Sequence, residues 1–468
     1  MAKSGAAARQ GLTTRDSTDS WRYIIVLAKF ALMFLNAGLA QSFGVLLPEM
    51  VARYKTDYKT MAMICSMPAT LMYFSAPLAH LLLRVVNARV LAVIGGFLSA
   101  VPLMCFPFIE SVIPLALLTS AIVTVYVIMV SCDLVSSFLL YAGIGMSISA
   151  FPLLAILNDF FPRSFVFYNT ITLFGSTFGA FCLPVIVERS LEAYGQSGAF
   201  LILGGICLNA VACGAVVRPP KDLHELKQAP STKMDLHKSV IERSETSNPN
   251  TKSAQETKTS CARSFLNRLS SFVHVSEPMF VLVTPVTFLT NYVLYAWMLF
   301  LVPQAEWLGI ERSHAVFLSW IAGISGVFGR ILFIILVRLD WNSTLIFACS
   351  CFVCAVSLFL LPITTAYACQ AINALILGFI FFILDSAPSA MMKKTVRREE
   401  NMSMAMASTL LLCGVGALCG DILSGHILYA TKSYAIVFVS LGVLQITALI
   451  NLIVAEVIDR IRNQDKCR

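Results

Sequence analysis

Twelve stretches of this chain run for about 19 to 29 residues with hardly a charge among them. They fall at about 22–48, 60–83, 90–109, 139–158, 165–187, 199–217, 279–302, 315–337, 343–362, 365–388, 402–430 and 433–456. Roughly 20 apolar residues in helical conformation cross the hydrocarbon core of a bilayer, so each run is long enough for one crossing. Because the runs are continuous and do not alternate in segments of about ten, a transmembrane β-barrel is excluded. A water-soluble fold is excluded by charge: 13% of the residues are Asp, Glu, Lys or Arg, where soluble domains carry about 25%. The fold class expected is therefore an all-α, multi-pass membrane protein. The net charge of +8 would point to nucleic acid in a soluble chain, but these basic residues sit between the apolar runs. They read as topology signals, and no nucleic-acid partner is expected.

The runs divide six and six around a polar gap at 218–275, rich in Lys, Ser, Thr, Asn and Gln. A segment of that composition cannot bury a core and is expected to be a disordered linker. The expected organisation is a tail at 1–21, an N-terminal six-helix bundle at 22–217, the linker, a C-terminal six-helix bundle at 276–456 and a tail at 457–468. With both tails inside, 26 of the 34 Lys and Arg fall on cytoplasmic segments and 6 on outer loops, leaving Lys29 and Arg330 within runs. This is the positive-inside bias. A thirteenth apolar stretch at 112–131, within an insertion at about 111–136, would invert everything after it if it crossed. It is expected to make no net crossing; re-entrant, interfacial, hairpin and translated-intron origins all stay open. The first run is too long for a signal-peptide core, so insertion by the first membrane helix is expected. The sequons at Asn342 and Asn401 fall in cytoplasmic loops, so no N-glycan is expected. Most of the 14 cysteines lie inside the runs and read as small apolar residues, with no metal site and no cofactor expected.

Several local patterns narrow the class. Asp19-Ser20-Trp21-Arg22-Tyr23 leads into the first run, which ends in Gln41-Ser42-Phe43-Gly44-Val45-Leu46-Leu47. Tyr73 precedes Pro77 by four residues, and Gly95-Gly96 stands in the third run. Phe160-Phe161-Pro162-Arg163 leads to Asn169 and Phe174-Gly175, and Gly414, Gly416, Gly420 and Gly425 space the eleventh run. Two six-helix halves with these patterns in this order resemble the monocarboxylate transporter family of the major facilitator superfamily, as a divergent member. The resemblance implies the major facilitator fold with 12 transmembrane helices in two bundles. It also implies a small organic anion or zwitterion as substrate, a plasma-membrane location, and room for a single-span accessory subunit. In that family a lysine in the first helix and an Asp-x-x-x-Arg pair in the eighth carry proton-coupled transport. Here the lysine position aligns with Gln41 and the aspartate with Gly326, while the arginine is kept as Arg330. Proton coupling by that route is therefore doubtful.

A carboxylate crossing a low-dielectric interior needs a fixed cation in place of its lost hydration. Arg330 lies 15 residues from the start of its run, about 22 Å at 1.5 Å per residue, and so needs a partner. Its planar fork suits a substrate carboxylate; a permanent lock onto Asp385 or Asp421 is the competing reading. Gln41, Tyr73 and Asn36 are the other candidate substrate contacts, and Asp385 and Asp421 the candidate coupling or charge-pair residues. Lys29, about 10 Å from the cytoplasmic end of its helix, reads as a snorkelling residue. It is about 120° around the helix from Gln41 and about 20° from Asn36. Gly175-x-x-x-Gly179 and Gly416-x-x-x-Gly420 occupy corresponding places in the halves and read as close packing at the rocking interface. Arg84 and Arg89, with Arg338 in the equivalent loop, resemble the superfamily's cytoplasmic gate element; binding of membrane lipid phosphate competes with that. Arg163 and Asn169 belong to the same gating or packing group. His80 and His426, near helix ends, read as satisfied polar residues.

The sequence therefore reads as a secondary transporter working by alternating access. A non-transporting sensor or scaffold that keeps the fold is the alternative. An enzyme is not expected, since no nucleophile, metal cluster or paired catalytic carboxylates share a face, and twelve runs do not fit a seven-helix receptor.

Overall fold

The computed structural model of the chain describes residues 2–54, 58–105, 134–218, 278–396 and 401–467. Among these, every regular element is a helix: α1 (Ala2–Tyr54), α2 (Tyr58–Phe74), α3 (Ala76–Leu83), α4 (Ala88–Cys105), α5 (Leu134–Phe160), α6 (Phe165–Cys207), α7 (Asn209–Ala215), α8 (Pro278–Trp307), α9 (Arg312–Arg338), α10 (Ser343–Leu360), α11 (Tyr367–Thr395), α12 (Met402–Thr431) and α13 (Tyr434–Cys467). The expectations for the linker and for the apolar insertion up to residue 133 lie outside the described residues.

Among the described residues, twelve membrane-length stretches result, for reasons that can be traced to single residues. Ten helices are long and apolar enough to span a membrane. The second crossing escapes that criterion because it is broken at Ser75, with Pro77 in the first turn of α3. A proline there cannot donate to the preceding turn, and its ring crowds the carbonyl four residues back. The fifth and sixth crossings are the two helical stretches of α6, separated by a kink at Gly195, whose φ of 68° is open to glycine at little cost. Outward-facing Phe178, Phe317, Phe352, Leu345 and Ile450 are exposed, as a lipid-facing surface requires.

The two halves repeat one packing scheme. α1 lies on α6 and α8 on α12; α2 lies on α5 and α9 on α11; α4 packs on the end of α6 with α7, and α10 packs on α13. A Cβ built at Gly175 or Gly179 would strike the carbonyl oxygens of Phe30 and Phe34, and one at Gly416 or Gly420 those of Phe288 and Tyr292. These small residues thus let backbones touch within each half. That corrects the expectation that they pack at the rocking interface: the spacing marks a close approach without saying which helix approaches.

The halves meet along two seams. At one, α3 packs on the start of α12 through Ala76, Ala79, Met402 and Met406, and His80 Nδ1 lies 2.9 Å from Ser403 Oγ. At the other, α6 follows α9: Arg338 stacks over Phe167 at 5.5 Å, and Phe181 meets Trp320 at 5.8 Å. Of the cysteines, Cys65, Cys207, Cys351, Cys354 and Cys413 are buried, while Cys182, Cys349 and Cys369 are exposed.

Candidate functional site

A cavity of about 170 Å³ opens between the halves. That is room for a few waters or one small organic molecule. Its N-terminal wall is formed by Lys29 and Met33 of α1, Met72 and Tyr73 of α2, and Asn169 and Leu173 of α6, backed by α5. Its C-terminal wall carries Asn291 of α8, Asp385, Ser389 and Met392 of α11, and Met406, Thr409 and Cys413 of α12.

Lys29 is only 2% exposed, and its Nζ donates to Asn169 Oδ1. It does not snorkel. The residue faces the bundle interior, where Asn169 supplies an acceptor. An ammonium held by one neutral side chain keeps two further N–H donors, and this one lines the cavity.

Arg330 is 3% exposed; both its terminal nitrogens are engaged by protein, while its Nε has no hydrogen-bond partner among the described residues. Its Nη2 lies 2.5 Å from Asp385 Oδ2. Its Nη1 donates to the backbone oxygen of Leu173, to Ser176 Oγ at 3.2 Å and to Thr177 Oγ1 at 2.8 Å, all on α6 across the seam between halves. The guanidinium also stands 4.7 Å from the centre of the Phe382 ring. A Cβ at Gly326 would overlap that ring. The acid absent from position 326 is thus replaced in space by Phe382, and in charge by Asp385 one turn further along α11. Of the two carboxylates considered for Arg330, Asp385 takes the role. Asp421 is not among the cavity-lining residues, and its Oδ1 is buried with no hydrogen-bond partner among the described residues.

The remaining candidates separate cleanly. Tyr73 lines the cavity and its hydroxyl accepts from that of Tyr295, 3.2 Å away in the other half. Asn36, expected at the substrate, is turned into the N-terminal half, where its Nδ2 donates to the carbonyl of Met146 on α5 at 3.4 Å. Gln41 is exposed and absent from the cavity wall, which its 120° offset from Lys29 explains. Arg84, Arg89 and Arg163 are exposed at the end of the bundle where α3 meets α12, and Asn169 belongs to the cavity as the acceptor of Lys29. Sequence reasoning missed Asn291, Tyr295, Phe382, Ser389 and Thr409. For Asn291 there was a signal, an amide in the middle of an apolar run; for Phe382 there was none.

Comparison with known proteins adds the following. A family model described as the Major Facilitator Superfamily matches residues 29–420. Monocarboxylate transporter 12 of Homo sapiens is 24% identical over 474 residues, covering 98% of this chain and 85% of that protein. Monocarboxylate transporter 2 of Mus musculus is 22% identical, covering 96% of this chain and 87% of its own. Among solved structures, the transporter FucP in its outward conformation superposes with a TM-score of 0.61 at 15% identity, over 93% of this chain and 99% of that one; at that identity it speaks for the fold alone.

Proposed function

The chain belongs to the Major Facilitator Superfamily, and its curated relatives are monocarboxylate transporters; from that premise we propose that it carries a small carboxylate-bearing metabolite across a membrane by alternating access. The observation that carries this reading is Lys29: a buried ammonium, held by a single neutral amide, in the wall of a cavity shared by both halves. Leaving such a charge without a counter-ion is costly in a low-dielectric site, so a carboxylate entering the cavity gains a charge-assisted hydrogen bond that water supplied before.

Arg330 takes a different part in this reading from the substrate clamp that its chemistry alone invited. With four protein acceptors and an aromatic face around it, it holds α9 to α6 and to α11, and it is not among the residues that line the cavity. Proton coupling through an aspartate at 326 is not part of the reading, because glycine stands there and Asp385 is held by Arg330. We further infer that both termini are cytoplasmic, which the distribution of Lys and Arg supports, and that the membrane is the plasma membrane, which the resemblance to monocarboxylate transporters suggests.

The test is uptake of labelled monocarboxylates into vesicles containing the purified protein at two internal pH values. Saturable uptake is expected, indifferent to the pH gradient. Lys29→Met should lower the affinity about ten- to a hundredfold, as loss of a hydrogen bond to a charged group, worth roughly 1.5–3 kcal/mol, requires. Saturable uptake undisturbed by Lys29→Met would refute the role of Lys29. No saturable uptake of any carboxylate would favour the sensor or scaffold reading.

A further inference from the structure

Away from the cavity, arginines and aromatic rings converge where the first turn of α6 meets the last turn of α9. Arg22 of α1 stands over the rings of Tyr23 and Phe161, 5.1 and 5.8 Å from their centres. Arg338, at the end of α9, stands over Phe167. Tyr168 joins the two: its ring centre lies 3.9 Å from that of Phe161 and 5.1 Å from that of Phe167, and the charges of Arg22 and Arg338 both act on its hydroxyl. Tyr23 meets Tyr168 edge-on at 6.2 Å and adds a second hydroxyl. Arg338 is exposed, and among the described residues its guanidinium has no ion-pair or hydrogen-bond partner. Arg163, two residues after Phe161, is exposed as well. Against these three arginines stand two carboxylates in the same stretches of chain, Asp159 and Asp340.

Both arginines of this cradle mark the edge of an apolar run: Arg22 opens the first, and Arg338 directly follows the one at 315–337. The cradle thus stands at the boundary of the hydrocarbon, at the end of the bundle that the distribution of Lys and Arg assigns to the cytoplasm. Exposed apolar side chains continue from it along the same helices, with Leu27 on α1, Phe178 on α6 and Ile331 and Ile335 on α9. A guanidinium offers a phosphate two parallel N–H donors, and basic pockets between transmembrane helices suit anionic headgroups. A soluble anion would use the arginines and leave the apolar surface beside them unused. We propose that the cradle binds an anionic phospholipid, with Arg22, Arg338 and the tyrosine hydroxyls on its phosphate and the acyl chains along the exposed apolar side chains. Arg22 and Tyr168 belong to the N-terminal half and Arg338 to the C-terminal half, so the bound headgroup bridges the seam. A ligand held from both sides favours the arrangement of the halves in which it is held. This assignment is independent of what the cavity carries.

The test is native mass spectrometry of the full-length protein in detergent, with equal amounts of phosphatidylglycerol and phosphatidylcholine of the same acyl chains. The wild type should retain phosphatidylglycerol about tenfold better, as two arginines acting on one added negative charge require. Arg338→Gln should cut that preference severalfold, and Arg22→Gln is an independent second variant with the same expectation. Arg89→Gln, which removes an exposed cation outside the cradle, should change it by less than about twofold. Phosphatidylglycerol should also raise the thermal unfolding temperature of the wild type and not that of Arg338→Gln; an equal rise in both would overturn the bridge between halves. Equal retention of the two lipids, or a preference that survives both cradle variants, would overturn the site. A loss in Arg89→Gln as large as that in Arg338→Gln would replace the cradle with diffuse attraction to a basic surface. Displacement of the lipid by inorganic phosphate at about 1 mM, a concentration at which a weak surface contact is half-filled at most, would reassign the cradle to a soluble anion.

Discussion

The N- and C-terminal halves are built on one scaffold and filled with different chemistry. In both, the first and fifth crossings touch backbone to backbone through a glycine pair four residues apart, Gly175 and Gly179 in one half and Gly416 and Gly420 in the other. The C-terminal half gathers most of its apolar core in one cluster running from Val283 to Ala455, with a small second one around Phe333 and Ile383. The N-terminal half divides its own between a cluster around Phe43 and Phe200 and another around Leu32 and Leu153. The buried charges differ further. The C-terminal half pairs Arg330 with Asp385, whereas the N-terminal half sets Lys29 against an amide. Close backbone contacts leave no room for a larger residue and so are shared, while a polar side chain in a cavity is held only by what it meets. One buried cation is paired with a carboxylate, and the other is held by a neutral amide in the cavity wall.

The comparison can be broken most severely at the shared contacts. Gly179→Leu and Gly420→Leu each drive a side chain into a carbonyl of the neighbouring helix, which cannot step aside without moving the helix. Each should cost more than about 3 kcal/mol and remove the monodisperse peak in size-exclusion chromatography. A half that tolerates its substitution would show that the scaffold is not shared there.

Next in size is the contrast between the two cations. Arg330→Ala leaves Asp385 without its partner and cuts three hydrogen bonds to α6, so a loss of roughly 3 kcal/mol in stability is expected, together with loss of uptake. Lys29→Met should lose uptake while its thermal unfolding temperature holds or rises, because a thioether replaces a charge with one neutral partner. Equal destabilisation by the two changes would erase the distinction between structural and functional charge.

Smallest are the residues that the sequence placed at the substrate and the fold placed elsewhere. Asn36→Leu should cost about 1 kcal/mol through its lost bond to α5 and leave kcat/KM within a few-fold. Gln41→Ala should change uptake by less than about twofold, as surface substitutions away from special features do. A strong effect of Gln41→Ala on KM would return that residue to the binding site.

How much of this was legible depended on the range of the interaction. The twelve apolar runs and the need of Arg330 for a partner follow from residues close together in the chain. The angle between Lys29 and Gln41 was also correct, because helix geometry fixes it. Which of those directions faces the cavity was not legible, since that depends on how α1 lies against α5 and α6. The replacement of the acid at 326 was visible only as a glycine. That Phe382 fills the gap and Asp385 supplies the charge requires α9 and α11 to be side by side.

The sequence by itself determined that this chain is built of apolar helices long enough to span a membrane, because bilayer thickness acts on each segment separately. Only the tertiary structure decided which buried cation is paired with a carboxylate and which is held by a neutral amide. That choice is made by partners 55 residues away for Arg330 and 140 residues away for Lys29, and the hydrogen bonds that settle it exist only once the helices have packed.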